Sequence, residues 1–244
     1  MATRAATAGR PPGRNLTHDL LDRLGRQIVM GMYDQAVFPT EAELAKQHGV
    51  SRSVTREAVK MLTAKGLLSA RPRQGTVVRP ATAWSLFDPD VLAWLMERRF
   101  SLDTLRHFNE LRIAIEPEAA ALAARFATPA DLDAICLGWN RMAAAETGTD
   151  DPLAADIAFH LAILAGSQNP FYRQFRDIVA AALRTSIRVT NRVAGRTASL
   201  ADHAAVRDTI LAGDAAAART AMRALIDEVI ALIDATGNDA ERPT

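Results

Sequence analysis

Along the first eighty residues the apolar positions fall into short helical patterns. Leu16, Leu20, Leu21, Leu24 and Ile28 recur at helical spacing and predict a helix from Leu16 to about Met30. After a turn through Tyr33 to Pro39, Thr40 precedes Glu43 by three residues, a capping-box pattern that opens a short second helix ending near His48 and Gly49. Ser51 is placed to cap a third helix running to about Lys65, with Val54, Ala58, Met61 and Leu62 turned inward and Gly66 ending it. Two strand-like runs follow, Leu67-Leu68-Ser69-Ala70 and Thr76-Val77-Val78, around a Pro/Gly turn. Helix, capped helix, a turn of Gly49 and Val50, helix and hairpin, over residues 15–80, is the layout of a winged helix-turn-helix.

Beyond Pro80 the texture changes. Residues 81–100 carry Trp84, Leu86, Phe87, Val91, Leu92, Trp94 and Leu95, and read as an apolar linker that packs. From 101 to 238, Ala-rich stretches with a 3.6-residue period lie near 101–127, 129–145, 150–166, 170–194, 199–212 and 214–235, with breaks at Pro129, Gly148, Pro152, Asn169-Pro170, Gly195 and Gly213. No strand pattern occurs there. Residues 1–14 have no periodicity and read as a disordered arm. The expected fold class is mainly α, an N-terminal winged helix-turn-helix followed by a C-terminal all-helical bundle.

Composition narrows the class. At 244 residues, 49% apolar and 23% charged, the chain is long enough for two cored domains and too apolar for wholesale disorder. A single cysteine, Cys136 between Ile135 and Leu137, excludes an internal disulfide or a Cys-rich zinc cluster, reads as a small core residue, and fits a reducing compartment. No apolar run reaches the roughly 18 residues needed to cross a bilayer, and MATRAATAGRPPGR has no apolar segment behind its arginines, so no membrane partner and a cytoplasmic location are expected. The net charge of +1 hides an asymmetry. Residues 1–80 hold 13 basic and 6 acidic side chains, a surplus of +7, whereas residues 81–244 hold 16 and 22, a balance of −6.

A basic module needs a polyanionic partner. In the third helix, Ser51-Arg52-Ser53-Val54-Thr55-Arg56 puts Arg52 and Arg56 four residues apart on one face. The first turn offers hydroxyls and free amides to phosphates, and an arginine there can reach guanine edges in the major groove. The hairpin adds Arg71 and Arg73 beside Gly75, where backbone can approach the sugar-phosphate chain. Alone, such a motif is as consistent with a solvated basic face; the surrounding element order makes it a DNA reader, with Ser51, Arg52, Ser53, Thr55, Arg56, Arg71, Arg73 and Gly75 as the candidate contacts. One module has a small footprint, so a homodimer on a palindromic operator is expected.

In the acidic module Asp156 and His160 stand four apart on one helical face, and His203 follows on a later helix. That spacing lets a carboxylate and an imidazole share a metal, although an isolated pair is more often a surface ion pair. Arg112 and Glu116 are also four apart, which is compatible with a simple salt bridge.

The run Phe38-Pro39-Thr40-Glu41-Ala42-Glu43-Leu44-Ala45, with Gly49-Val50-Ser51-Arg52, Arg56-Glu57-Ala58 and Gly66-Leu67-Leu68, resembles the winged-helix domain of the GntR family of bacterial transcription regulators. Residues 100–235, with Arg112, Glu116, Asp156-x-x-Phe159-His160, Gln168-Asn169-Pro170 and Asp202-His203, resemble the all-helical FCD effector domain of its FadR-like branch. The first resemblance implies DNA contacts at Ser51, Arg52, Ser53, Arg56 and the wing tip; some members add an arginine where this chain has Ala42. The second implies a divalent metal, commonly zinc, held by Asp156, His160 and His203. The family's fourth ligand, a histidine, falls on Leu225, so the site is either lost or left with an open position. It also implies that Arg112 pairs with an effector carboxylate.

The stretch Trp84 to Leu95 resembles the linker of the subgroup that senses sugar acids, among them a D-galactonate-responsive repressor. The resemblance therefore implies a repressor released by a small carboxylate, an aldonate such as galactonate first. Its carboxylate and α-hydroxyl would meet the metal, Arg112 would hold its charge, and Arg188 and Asn191 would face the outer hydroxyls. Alternatives are another hydroxy acid, a hexuronate or a dicarboxylate; a metal-dependent sugar-acid enzyme, for which no general base beyond Glu116 stands out; and a non-specific nucleoid-type binder.

Overall fold

Capping chemistry sets the boundaries of the N-terminal helices. The computed structural model describes residues 16–71, 75–97, 102–184 and 199–240, which divide into one unit up to Arg98 and another from Arg99. Helix α1 (Leu16–Val29) buries Leu20, Leu21, Leu24, Ile28 and Val29. Helix α2 (Glu41–His48) starts at a complete capping box, in which Glu43 N–H donates to Thr40 Oγ1 at 3.3 Å and Thr40 N–H donates to Glu43 Oε2 at 2.8 Å. It ends where Gly49 turns left-handed, at φ 64° and ψ 33°. Two residues later Ser51 caps α3 (Arg52–Ala64), its hydroxyl accepting the Val54 N–H at 3.3 Å.

The buried stripe of α3 is Thr55, Ala58, Val59 and Leu62. The expected stripe of Val54, Ala58, Met61 and Leu62 is therefore corrected at two points, Thr55 taking the place of Val54 and Val59 that of Met61. Spacings of three, four and seven from Thr55 put all four residues on one line, and Val54 and Met61 flank it, partly buried. Strands β1 (Leu68–Arg71) and β2 (Gly75–Val78) pair antiparallel, with Leu68 opposite Val78 and Arg71 opposite Gly75.

The segment read as a linker carries structure of its own. A short 3-10 turn at Ala81–Ala83 leads to helix α4 (Pro89–Glu97), which packs on α1 as part of the first unit. The Trp94 ring fills the space above Gly25, where an added Cβ would lie 2.3 Å from the ring, and its Nε1–H donates to Asp22 Oδ1 at 2.8 Å. Arg26 pairs with Asp22 at 2.9 Å and with Glu97. Lys65, at the end of α3, donates to both oxygens of Asp88 and pairs with Asp90, all at 2.8 Å. Asp88 Oδ1 in turn accepts the Asp90 and Val91 N–H groups that open α4.

The second unit is a bundle of α5 (Leu102–Phe126), α6 (Pro129–Glu146), α7 (Pro152–Gly166), the one-turn α8 (Pro170–Arg173), α9 (described over 176–184), α10 (Leu200–Leu211) and α11 (Ala215–Ala240). No strand occurs among its described residues. The continuous helix expected over 170–194 breaks at Gln174 and Phe175, whose N–H groups close tight bonds to Phe171 and Tyr172, each 3.1 Å. Helix α5 lies against α11 and α7, and α6 lies against α7 and α10. Small residues allow the close approaches: Ala119, Ala120 and Ala123 on α5 are buried, and a Cβ on Gly138 of α6 would meet the Phe159 Cα at 2.7 Å. That contact seats α7, and with it Asp156 and His160, deep in the core. Among the described residues no helix is long and apolar enough to cross a membrane.

Candidate DNA-binding surface and metal centre

The N-terminal turn of α3 presents Ser51, Arg52, Ser53 and Arg56 to solvent. Ser51 and Ser53 hydroxyls lie 2.8 Å apart, and Arg56 Nε approaches Glu41 Oε2 of α2 at 3.4 Å. Thr55 is not part of this surface: it is fully buried and its hydroxyl donates to the Ser51 carbonyl at 3.3 Å, so its expected DNA contact is withdrawn. Arg71 is exposed at the end of β1, opposite Gly75. Gly75 has φ +77° and nothing within 4 Å of an added Cβ, an open backbone position suited to a phosphate. Arg73 lies outside the described residues, as do residues 1–14. Ala42, where the resemblance gives some members an arginine, is exposed on α2.

In the helical unit Asp156, His160 and His203 converge. Asp151 caps α7, accepting the Ala154 N–H at 2.7 Å, with Pro152 at the first helical position, and the helix then brings Asp156 and His160 onto one face. Ser199 caps α10 and places His203 against them. All three are buried, and their ligand atoms lie within 4.8 Å of one another. His203 Nε2 is 2.9 Å from Asp156 Oδ1, and His160 Nε2 is 3.6 Å from the same oxygen. The Ser199 carbonyl can only accept, so His203 Nδ1–H donates to it, at 2.7 Å. A neutral His203 then turns a bare nitrogen toward a carboxylate oxygen. Asp156 Oδ1, His160 Nε2 and His203 Nε2 are buried without a hydrogen-bond partner.

Beside this cluster runs a second polar chain. Arg112 is buried on α5; its Nε donates to Glu116 Oε1 at 2.6 Å, one terminal nitrogen approaches Oε2 at 3.5 Å, and the other donates to Asn109 Oδ1 at 3.1 Å. Glu116 Oε2 also accepts from His160 Nδ1 at 2.5 Å. Burial alone would raise the Glu116 carboxyl, but the charges of Arg112 and His160 and their hydrogen bonds outweigh it and bring the group down to about 2. The Glu116 carboxylate is therefore ionised at neutral pH. Burial also acts against the Asp156 carboxylate; protonated His203 and His160 rings, with Arg112, would outweigh it and hold the group below the usual range.

The salt bridge that Arg112 and Glu116 allowed on spacing is thus present. Their further reach to His160 spans 44 residues and left no sequence signal. Asn109 and the Ser199 carbonyl were likewise missed, being an amide and a backbone group with no motif of their own. Leu225, where the resemblance implied a fourth ligand, is buried in the bundle core. Gln168 and Asn169 are structural: Asn169 caps α8 and Gln168, at φ 54°, donates to Asp131 at 2.5 Å. Arg188 and Asn191 lie outside the described residues.

Comparison with known proteins assigns a family to each unit. Residues 16–78 match the gntR family of bacterial regulatory proteins, and residues 108–228 match the FCD domain. The galactonate operon transcriptional repressor of Escherichia coli is 32% identical over 87% of this chain and 94% of its own. A putative L-lactate dehydrogenase operon regulatory protein of the same organism is 34% identical over 86% and 83%. In fold the chain resembles Lar of Listeria monocytogenes, with a TM-score of 0.54 and 20% identity over 92% of this chain and 99% of that one. The winged helix implies operator DNA as one partner, and the FCD domain a small-molecule effector as the other. The chain belongs to the gntR family of bacterial regulatory proteins, in its FadR-like branch with an FCD effector domain, and is a DNA-binding transcriptional regulator rather than an enzyme.

Proposed function

We propose that this regulator is a cytoplasmic, homodimeric repressor that grips a palindromic operator through Ser51, Arg52, Ser53, Arg56, Arg71, Arg73 and Gly75, and lets go when a small carboxylate binds the FCD domain. The observation that carries the effector half is the meeting of three buried ligand atoms, Asp156 Oδ1, His160 Nε2 and His203 Nε2, none of which has a hydrogen-bond partner. Unpaired polar atoms in a core are costly, and three lone pairs facing one another repel, so a cation belongs among them. One carboxylate and two imidazoles are a donor set that zinc accepts, and with Leu225 in place of a fourth ligand such a site keeps one position open. A divalent ion held there supplies a positive centre that an oxygen-rich anion can share.

The effector we infer is a hydroxy acid, with a sugar acid such as galactonate first, as the name of one relative suggests. Lactate-like acids follow, from the name of the other. Arg112, Arg188 and Asn191 remain the residues proposed to meet its carboxylate and hydroxyls. For Arg112 three donors already serve Glu116 and Asn109, so only the remaining two of its five are available for an anion. The test is fluorescence anisotropy on DNA from the protein's own upstream region, at fixed salt, titrated with aldonates, hexuronates, hydroxy acids and dicarboxylates. Release by an aldonate, abolished in His203→Ala although that variant still binds DNA, is the expected result. Retained zinc and retained release in His203→Ala would overturn the site.

A further inference from the structure

Glu116 divides its two oxygens between elements of different use. Oε1 takes the Arg112 Nε at 2.6 Å, and Oε2 takes the His160 Nδ1 at 2.5 Å while lying 3.5 Å from a terminal nitrogen of Arg112. We propose that Glu116 is the positioning residue that makes His160 a metal ligand and ties it to Arg112; the metal half of this rests on the cation site inferred above. An ionised carboxylate only accepts hydrogen bonds, so the proton of a neutral His160 ring must sit on Nδ1. The opposite tautomer would set a bare Nδ1 against a carboxylate oxygen at 2.5 Å and would point an N–H from Nε2 into the cluster, where Asp156 Oδ1 lies 3.6 Å away. With Nδ1–H fixed by Glu116, Nε2 is left bare, and it is one of the three partnerless atoms.

The two imidazoles are therefore oriented by different means. His203 is held by the backbone of its own helix, through the Ser199 carbonyl, whereas His160 on α7 is held by a side chain of α5. A carboxylate behind a ligating histidine both fixes the ring and strengthens its donor nitrogen. Here the same carboxylate grips Arg112, so a shift of Arg112 toward an anion is transmitted to a ligand of the metal. Charge balance alone would ask only that Glu116 neutralise Arg112; the bond to His160 is the part that such a role does not require.

Long-range proton–nitrogen correlation spectra of the metal-free, histidine-labelled full chain read the tautomer directly, and only five histidines are present. The expected result is Nδ1–H with a bare Nε2 at His160 in the native chain, lost or mixed in Glu116→Gln, together with zinc affinity 10- to 100-fold lower in that variant by competition with a chromophoric chelator. Glu118→Gln, which alters an exposed partner of Arg219 on the same helix, should change neither. An Nε2–H tautomer in the native chain, or an unchanged tautomer and zinc affinity in Glu116→Gln, would overturn the proposal. Should that variant not fold, the native spectrum still decides. A native chain with the assigned tautomer that takes up no zinc would instead sink the metal reading, and the ligand role of His160 with it.

Discussion

Arg56 already has a partner before any DNA arrives. Its Nε lies 3.4 Å from Glu41 Oε2, both side chains are substantially exposed, and a pair of that kind contributes roughly 0 to 1 kcal/mol. DNA phosphates or base edges must displace Glu41, and a glutamate left nearby opposes them. Arg52, by contrast, has no such rival among the described residues. Each of Arg52→Ala and Arg56→Ala is therefore expected to weaken operator binding by about 1 to 3 kcal/mol, roughly 5- to 150-fold, while leaving effector affinity unchanged. Glu41→Ala should act the other way and tighten binding by up to about fivefold. Anisotropy at a single salt concentration measures all three, and normal affinity in both arginine variants would remove α3 from the groove. At this scale the sequence was informative where spacing speaks for itself. Arg52 and Arg56 share a face by their interval of four, as do Asp156 and His160. Thr55 was misjudged because a hydroxyl in the first turn looks available to phosphate, and only the packing of α3 shows that it faces the core.

Elements were legible where caps and periods agreed. Thr40 with Glu43, and Ser51, mark helix starts that the structure reproduces within a residue or two. Helix α4 was not legible as such, because its apolar residues form only a short stripe and its anchor lies on another element. Trp94 needs Gly25, 69 positions earlier in the chain, and no local pattern announces that notch. The pair yields a prediction with a diagnostic sign. In the interior of a solvated helix Gly→Ala stabilises by roughly 0.5 to 1 kcal/mol, through helix propensity. At Gly25 the added Cβ would lie 2.3 Å from the Trp94 ring, so Gly25→Ala should instead destabilise by about 1 to 3 kcal/mol. Thermal unfolding of the full chain should show the midpoint falling, with partial recovery in Gly25→Ala/Trp94→Leu. A rise in the single variant would mean that α4 does not rest on α1 in solution.

At the scale of the whole molecule, a basic reader and an acidic sensor must be joined by free energy rather than by proximity alone. If an acid lowers operator affinity, the operator must lower affinity for that acid by the same factor, because both describe one coupling. For a coupling of about 1 to 3 kcal/mol the factor is roughly 5 to 150. The proposed route places Glu116 between Arg112 and His160, so the metal ligands are part of the coupled element and not a bystander to it. Calorimetric titration of galactonate into the zinc-loaded chain, with and without saturating operator, should therefore give two affinities differing by the factor by which galactonate weakens the operator. After chelation both factors should collapse toward one, since the anion loses the centre it shares and the three lone pairs are left facing one another. An undiminished factor in the chelated protein would mean that the acid reaches the DNA-binding unit through Arg112 without the metal, leaving Asp156, His160 and His203 a structural knot of the bundle.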